Sequence, residues 1–241
     1  MLPAAKGVYP PEAEARRLKV MQSYASPATT IDVDYMPDVS GFSPWGGQTS
    51  PEHHDVDNVR RAHELGAQRA QQAERDGYDA FCPYGVLDIG IEEARRRGVN
   101  IAVVGQGEAA ALSCAMLGRR FASCSYVSTP HGDESLRQRI DSWGAGELYA
   151  GPTAIGIPNS EYPQRRGEVL ERFVDCARKA RDMGAELMGV VAMSICPTEY
   201  SARELSEAAG FPVLDALAAQ IAMAEWWHRT GLSPSLLRLP R

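Results

Sequence analysis

Two cysteines occupy matching positions in the two halves of this 241-residue chain, and both have the chemistry of an acid or a base. Cys82 ends one hydrophobic run and is followed by Pro83, and Cys196 ends another and is followed by Pro197. A thiol on each face of one carbon can remove a proton from one side and return a proton from the other. The pair therefore predicts inversion or isomerisation of a small acid, without a metal or a cofactor.

Short apolar runs alternate with helical segments, and these elements must position the thiols. We predict strands over residues 30–36, 78–82, 101–104, 121–127, 187–193 and 212–214. We predict helices over residues 50–75, 91–97, 108–117, 165–183, 201–209 and 216–227. Parallel strands need crossover connections that are usually helices, so this alternation predicts an α/β protein with parallel sheets.

The two halves also resemble each other. The run from Cys82 to Gly98 is similar to the run from Cys196 to Gly210, and each leads into a strand and an alanine-rich helix. We expect two similar Rossmann-like (flavodoxin-like) lobes, related by a pseudo-twofold axis, with the active-site cleft between them. Ligands bind at the carboxyl ends of parallel strands, where both cysteines lie. The expected lobes are residues 1–104, completed by the helix 216–241, and residues 105–215.

Composition limits the classes of binding partner and the cellular compartment that we expect for this chain. The net charge of -6 argues against nucleic acid, and no stretch reaches the roughly 18 apolar residues of a membrane helix. The N-terminus does not have the pattern of a signal peptide. The five cysteines form no close pair and are odd in number, which suits a reducing compartment. We expect a cytoplasmic homo-oligomer with a small-molecule substrate and no nucleic-acid or membrane partner.

Four segments together resemble the aspartate/glutamate/hydantoin racemase superfamily, which also includes maleate cis-trans isomerases and arylmalonate decarboxylases. They are the strand that ends at Cys82, the turn 103–109, the strand that ends at Cys196, and the segment 210–215 before an alanine-rich helix. The resemblance is greatest to the hydantoin racemase branch. It implies a site between two domains, where one cysteine is the base and the other the acid, and the roles exchange for the opposite stereoisomer.

The chain departs from this family directly after each cysteine. Family members often have a backbone N–H there that donates to the substrate, but Pro83 and Pro197 have none. We therefore expect donation from the next residues in each half, which are Tyr84 and Gly85, and Thr198 and Glu199. The Thr198 hydroxyl adds a further donor. The second site also lacks the Gly-Cys-Thr-His pattern of the amino-acid racemases, which disfavours free aspartate or glutamate as the substrate.

Other residues have a functional and a structural interpretation. Thr129 and His131 follow a predicted strand end and are candidate substrate contacts. The adjacent His53 and His54 would point in different directions on a helix, so we expect no shared metal. Pro83 and Pro197 are either special to the site or first-turn helix prolines. Cysteines outside the pair are interpreted as small buried residues, namely Cys114, Cys124 and Cys176.

Alternatives remain open. One cysteine that adds to an alkene diacid would give a maleate-type cis-trans isomerase, and a requirement for one cysteine alone would give an arylmalonate-type decarboxylase. Two lobes around a cleft also describe a small-molecule-binding protein. A redox pair would instead bring Cys82 and Cys196 within disulfide reach. Whichever holds, a catalytic thiol must ionise, and we expect a helix N-terminus after each cysteine to favour the thiolate.

Overall fold

The structure, a computed structural model, describes residues 11–35 and 56–233. These residues form two compact units, one with residues 11–35, 56–106 and 220–233 and the other with residues 107–219. Within these ranges no helix is both long enough and apolar enough to cross a membrane. The predicted helix start at residue 50, together with His53 and His54, lies outside the described residues.

The first unit carries Cys82. It contains helices α1 (Pro11–Tyr24), α2 (Val56–Arg75) and α3 (Ile91–Arg96) and strands β1 (Ala80–Phe81) and β2 (Ala102–Val103). β1 and β2 pair in parallel, with Phe81 opposite Val103. Glycine allows α2 to approach the start of α3, since a Cβ on Gly90 would lie 2.6 Å from the carbonyl carbon of Gly66. This packing buries Phe81 and so fixes the strand that leads directly into Cys82.

The second unit carries Cys196. Along the chain follow α4 (Gln106–Met116), β3 (Phe121–Ser125), α5 (Pro130–Ser142), β4 (Tyr149–Ala154), α6 (Arg166–Asp182), β5 (Leu187–Val191), α7 (Ala202–Ala209) and α8 (Ala216–Thr230). Gln106, the first residue of α4, and α8 from residue 220 onward belong to the first unit. The sheet order is β4-β3-β5, and all pairs are parallel. Every residue of β5 is buried, as expected for a parallel strand covered on both faces.

Helix α7 follows the Cys196 segment and has well-defined ends. The Ser201 hydroxyl accepts a hydrogen bond from the Glu204 N–H, and the Glu204 carboxylate accepts one from the Ser201 N–H. This capping box satisfies two backbone donors at the helix start. At the other end Gly210 adopts a left-handed conformation with φ of 55°, which costs glycine little. Both ends of α7 are therefore fixed by local interactions.

The predicted α/β class with parallel sheets is confirmed. Each predicted helix except the start of the one over residues 50–75 has a counterpart, and so do five of the predicted strands, although the observed strands are shorter. The last of these five, predicted over residues 212–214, appears as a single parallel bridge between Val213 and Met188.

The predicted strand over residues 30–36 is wrong in the part that the structure describes. Residues 30–34 are irregular, and only Tyr35 forms a bridge. Two carboxylates of this segment bind side chains instead. Asp32 accepts a hydrogen bond from Tyr78, and Asp34 forms an ion pair with Arg69. Three elements were not predicted, namely α1, α5 and β4.

Candidate functional site

Cys82 directly follows β1, and the loop behind it is held by two buried side-chain amides. The Gln220 Nε2 donates to the carbonyls of Pro83 and Val104, at 2.9 Å each. The Gly85 N–H donates to Gln106 Oε1 at 2.7 Å. Gln106 and Gln220 are 0% and 1% exposed. The carboxyl ends of β1 and β2 are thus linked through one glutamine, and the loop after Cys82 is fixed at two points.

Tyr84 lies between these two points. The Arg17 guanidinium carbon is 5.9 Å from the centroid of the Tyr84 ring, which is the range of a cation–π interaction. Arg17 comes from α1, so a helix that the sequence did not predict contributes a cation beside the Cys82 loop. The side chain of Tyr84 is therefore held by α1, and the peptide groups around it by Gln106 and Gln220.

Asp88 places a buried carboxylate near Cys82. The residue is 4% exposed and has a left-handed φ of 51°. Its carboxylate packs against Gly105, where an added Cβ would come within 2.2 Å of Oδ2. Burial, together with the negative charge of Asp88, raises the pKa of the Cys82 thiol to about 11. Cys82 is therefore a protonated thiol at neutral pH, although part of the residue meets solvent.

Cys196 lies in a compact turn that follows β5. The Cys196 N–H donates to the Ala192 carbonyl at 3.0 Å, and the Ala192 N–H donates to the Cys124 carbonyl of β3 at 2.8 Å. The Tyr200 hydroxyl closes the turn from the other end by donating to the Arg166 carbonyl at 2.6 Å. The Cys196–Pro197 peptide bond is cis. These contacts fix Cys196 near the carboxyl end of the sheet β4-β3-β5.

The Cys196 thiol is almost completely buried, with 1% of the residue exposed. Burial and then the nearby Asp215 carboxylate raise the pKa of this thiol well above its ordinary value. Asp215 also starts α8, since its Oδ1 accepts from the N–H groups of Leu217 and Ala218 at 3.0 and 3.1 Å. Each of the two thiols therefore has one aspartate whose charge opposes ionisation.

The expected help from helix N-termini is not found. α3 begins only at Ile91 and α7 only at Ala202, so neither Pro83 nor Pro197 is a first-turn helix proline. The interpretation of both residues as helix prolines is wrong. Because burial dominates, the pKa of each thiol is raised rather than lowered, and the thiolate needs another source of stabilisation.

The predicted backbone donors of Gly85, Thr198 and Glu199 are engaged inside the protein. The Gly85 N–H binds Gln106, the Thr198 N–H donates to the Met193 carbonyl at 3.3 Å, and the Glu199 N–H donates to the Ile195 carbonyl at 3.2 Å. A backbone N–H has a single proton to donate, so each of these would have to exchange its partner to bind a substrate. The Glu199 carbonyl in turn accepts from Arg166 at 2.8 Å.

Thr129 and His131 lie at the start of α5, in the second unit. Thr129 is the N-cap, and its hydroxyl oxygen accepts from the Gly132 N–H at 3.0 Å. This helix was not predicted; Pro130 is its first residue and His131 lies in its first turn. The Thr129 oxygen therefore has a structural role as a cap, which accounts for a hydroxyl at this position.

The other three cysteines are buried free thiols, as interpreted from the sequence. Cys114 packs beneath Gly189, whose added Cβ would lie 2.5 Å from the Cys114 sulfur. Cys124 of β3 and Cys176 of α6 form a thiol pair, and the hydrogen bond to Cys176 is the main cause that raises the pKa of Cys124. In the ranges that the structure describes, no group of three or more His, Cys, Asp or Glu could hold a metal ion.

Sequence reasoning did not identify Gln220, Gln106, Asp88 or Asp215 as part of the surroundings of the thiols. A glutamine looks the same in sequence whether it is solvated or buried. One signal was available for Gln220, because it is the single polar residue between Ala216 and Met223 in an otherwise apolar run. A lone amide in such a run indicates a buried hydrogen-bonding role.

Comparison with known proteins gives consistent matches. The family model described as Asp/Glu/Hydantoin racemase matches residues 19–224. A hydantoin racemase from Rhizobium meliloti is 28% identical over 170 residues, which is 68% of this chain and 66% of that protein. The match thus spans slightly less than two thirds of the relative's length.

Solved structures show the same fold. An allantoin racemase from Pseudomonas fluorescens superposes with a TM-score of 0.76 and 21% identity, covering 95% of this chain and 92% of that one. The allantoin racemase from Klebsiella pneumoniae superposes with a TM-score of 0.75 and 21% identity, covering 97% of this chain and 88% of that one. An unliganded arylmalonate decarboxylase superposes with a TM-score of 0.54 and 14% identity, covering 94% of this chain and 90% of that one.

Proposed function

Because this chain belongs to the Asp/Glu/hydantoin racemase family, we propose that it is a cofactor-independent racemase that uses Cys82 and Cys196 as opposed acid and base. The proposed substrate has an acidic C–H next to the carbonyl of a cyclic amide or a carboxylate, of the hydantoin type. The observation that carries the proposal is that each thiol follows the carboxyl end of a parallel strand in its own unit, Cys82 directly after β1 and Cys196 in the turn after β5. The similarity to hydantoin and allantoin racemases supports the choice of substrate class.

The proposed reaction moves two protons on opposite faces of one carbon. The Cys82 thiolate takes the proton from the substrate C–H, and the electron pair of that bond delocalises into the adjacent carbonyl as an enolate. The Cys196 S–H then donates its proton to the other face of the carbon and becomes the thiolate. The opposite enantiomer runs the same steps in reverse, starting from a Cys196 thiolate.

Burial of the thiols has two opposing effects on this reaction. A thiol with a raised pKa gives a stronger base once it is ionised, which suits removal of a proton from weakly acidic carbon. The same shift makes the thiolate scarce at neutral pH. Since Cys82 is partly exposed and Cys196 is almost fully buried, we propose that Cys82 ionises first in the free enzyme.

An arylmalonate decarboxylase is among the structures similar to this chain. Decarboxylation with one-sided protonation is therefore a second activity to test. A maleate-type isomerase would instead add one thiol to a double bond. The three reactions differ in their products. We would incubate the purified protein with single enantiomers of 5-substituted hydantoins, allantoin and aspartate, and separately with maleate and an arylmalonate. Loss of optical rotation with a hydantoin or allantoin supports the proposal, whereas turnover of maleate or arylmalonate alone contradicts it.

We also propose that the protein works in the cytoplasm and forms a homo-oligomer. All five cysteines are free thiols, which fits a reducing compartment. Two adjacent apolar side chains are exposed at the end of α4, Met116 at 85% and Leu117 at 61%, and a subunit contact would cover them. Sedimentation velocity at several protein concentrations tests the oligomer, and a monomer throughout would contradict it.

A further inference from the structure

Arg166, the first residue of α6, contacts the end of the Cys196 turn, which we define as residues 192–200. Its guanidinium donates to the Glu199 carbonyl at 2.8 Å and lies over the Tyr200 ring, 4.0 Å from the ring centroid. Its own carbonyl accepts from the Tyr200 hydroxyl at 2.6 Å. Side chain and backbone of this one residue therefore hold two successive residues of the turn, although the proton transfers described above give Arg166 no part.

The Cys196 turn is closed on itself at the Ile195 carbonyl, directly before the cysteine. This carbonyl accepts from the N–H groups of Glu199 and Tyr200 at 3.2 and 3.0 Å. Cys196 thus lies inside a short loop whose two ends meet at one oxygen atom. Because two residues separate Cys196 from Glu199, a shift of Glu199 and Tyr200 would break these bonds or move the cysteine.

The two ends of the turn are anchored to different elements. At the amino end, the Ala192 N–H donates to the Cys124 carbonyl of β3 at 2.8 Å. At the carboxyl end, Arg166 connects Tyr200 to α6. The buried face of α6 packs in the same core as Tyr200 and Cys196. Arg166 therefore joins the turn to a helix that is itself fixed in the core of the second unit.

A carboxylate of α7 also meets the guanidinium. Glu204 Oε1 lies 3.7 Å from Arg166 Nη2, while Glu204 Oε2 accepts from the N–H and the hydroxyl of Ser201 at 2.8 Å each. Both charged side chains are about half exposed, and such an ion pair contributes little to stability. Its effect is on orientation, because a planar guanidinium can stack on a ring and donate in its own plane at the same time.

We propose that Arg166 is a positioning residue for Cys196, which holds the carboxyl end of the Cys196 turn against α6 and so sets the place from which this thiol exchanges protons with the substrate. The inference rests on the proposed function, since it assumes that Cys196 is one of the two acid/base groups. Arg166 acts through Glu199 and Tyr200 and does not itself touch the substrate.

Arg166→Met gives a specific test, because it removes the cation and the donor but keeps the backbone carbonyl that binds Tyr200. Arg172→Met is the matched control. Arg172 belongs to the same helix, is similarly exposed, and also lies 3.7 Å from a carboxylate, that of Glu168. If Arg166→Met does not fold, Arg166→Lys takes its place, since an ammonium group cannot stack on the ring and hold the Glu199 carbonyl in the same way.

The first measurement is hydrogen exchange of the Glu199 and Tyr200 amides, which needs no substrate. Both amides donate to the Ile195 carbonyl, so their exchange reports whether the turn stays closed. We expect exchange at least about 10-fold faster in Arg166→Met than in wild type, and wild-type rates in Arg172→Met. Melting temperatures of the three proteins separate local opening of the turn from loss of global stability.

The second measurement follows racemisation and deuterium uptake of each hydantoin enantiomer in D₂O. We expect kcat for racemisation to fall about 10- to 100-fold in Arg166→Met, because a misplaced thiol transfers protons slowly. For the enantiomer that Cys82 deprotonates, the enolate then more often regains a proton on the Cys82 side. That proton exchanges with solvent because Cys82 is partly exposed, so deuterium enters without inversion. For the other enantiomer, uptake and racemisation fall together.

This difference between the enantiomers separates positioning from a merely structural role, since a loss of folded protein lowers all rates in proportion. Faster amide exchange, together with a ratio of deuterium uptake to racemisation that rises at least about 3-fold for one enantiomer, supports the inference. Wild-type amide exchange in Arg166→Met would overturn it, as would the same ratio as in wild type for both enantiomers.

The proposed function can fail separately. A wild-type protein that racemises no hydantoin or allantoin would overturn the proposed function and with it the catalytic role of Arg166. The amide exchange rates would still show whether Arg166 holds the turn closed. The two failures are therefore distinguishable.

Discussion

Asp88 packs its carboxylate directly against Gly105, the residue that lies between the carboxyl end of β2 and the start of α4. A Cβ added to Gly105 would lie 2.2 Å from Asp88 Oδ2 and 2.4 Å from its Cγ. Burial is the main cause that raises the pKa of Cys82, and the charge of Asp88 adds to it, so this close approach fixes one of the groups that oppose ionisation of the thiol. The glycine at residue 105 therefore leaves the space that the Asp88 carboxylate occupies.

Replacing this glycine should destabilise the protein. We expect Gly105→Ala to lower the free energy of unfolding by about 1 to 3 kcal/mol, since the methyl group overlaps a buried side chain. Gly167→Ala is the control, because an added Cβ at this position in α6 meets no atom within 4 Å. It should be neutral or raise stability by up to about 1 kcal/mol. Urea denaturation measures both, and equal stabilities of the two variants would contradict the packing described.

Removing the charge of Asp88 should make Cys82 easier to ionise. We expect Asp88→Asn to shift the pH profile of Cys82 alkylation by iodoacetamide to lower pH, because a neutral amide no longer opposes the thiolate. The pKa of Cys82 should stay above its ordinary value, since burial is the larger cause. Asp76→Asn, at an exposed residue, is the control. A profile that is identical in wild type and Asp88→Asn would show that the carboxylate does not act on the thiol.

The activity should rise with pH well into the alkaline range. If a Cys82 thiolate is the base, kcat/KM should increase about tenfold per pH unit below the thiol pKa of about 11. Stability should change in the opposite direction. Between pH 9 and about 11 the folded chain keeps a proton that the unfolded chain has lost, so the free energy of unfolding falls as the pH rises. Initial rates from pH 6 to 9.5 avoid most of this loss, and a plateau from pH 7 would contradict the prediction.

The turn that holds Cys196 should depend on the Tyr200 hydroxyl. Tyr200→Phe removes its hydrogen bond to the Arg166 carbonyl, at 2.6 Å, and leaves the ring in place over the Arg166 guanidinium. We expect a loss of about 0.5 to 1.5 kcal/mol in stability and faster alkylation of Cys196. Tyr78→Phe, which removes an exposed hydroxyl that binds Asp32, is the control. Alkylation of Cys196 at the wild-type rate in Tyr200→Phe would exclude this role.

The elements that carry the thiols were predictable because their signals are local. Apolar runs mark the strands before Cys82 and Cys196, and Gly98 and Gly210 mark helix ends. The surroundings of the thiols were not predictable, because they depend on contacts between residues far apart in the chain. Gln220 and Pro83 are an example. For the same reason nothing local in the sequence shows that the Gly85 N–H is bound by Gln106.

The requirement for both thiols tests the central claim most directly. Each enantiomer of a hydantoin substrate is incubated in D₂O with wild type, Cys82→Ser, Cys196→Ser and the control Cys114→Ser, and optical rotation and deuterium at the acidic carbon are followed together. We predict that wild type and Cys114→Ser racemise both enantiomers with deuterium uptake, whereas each of the other variants loses racemisation by at least about 100-fold. Racemisation at the wild-type rate in Cys82→Ser or Cys196→Ser would contradict the account.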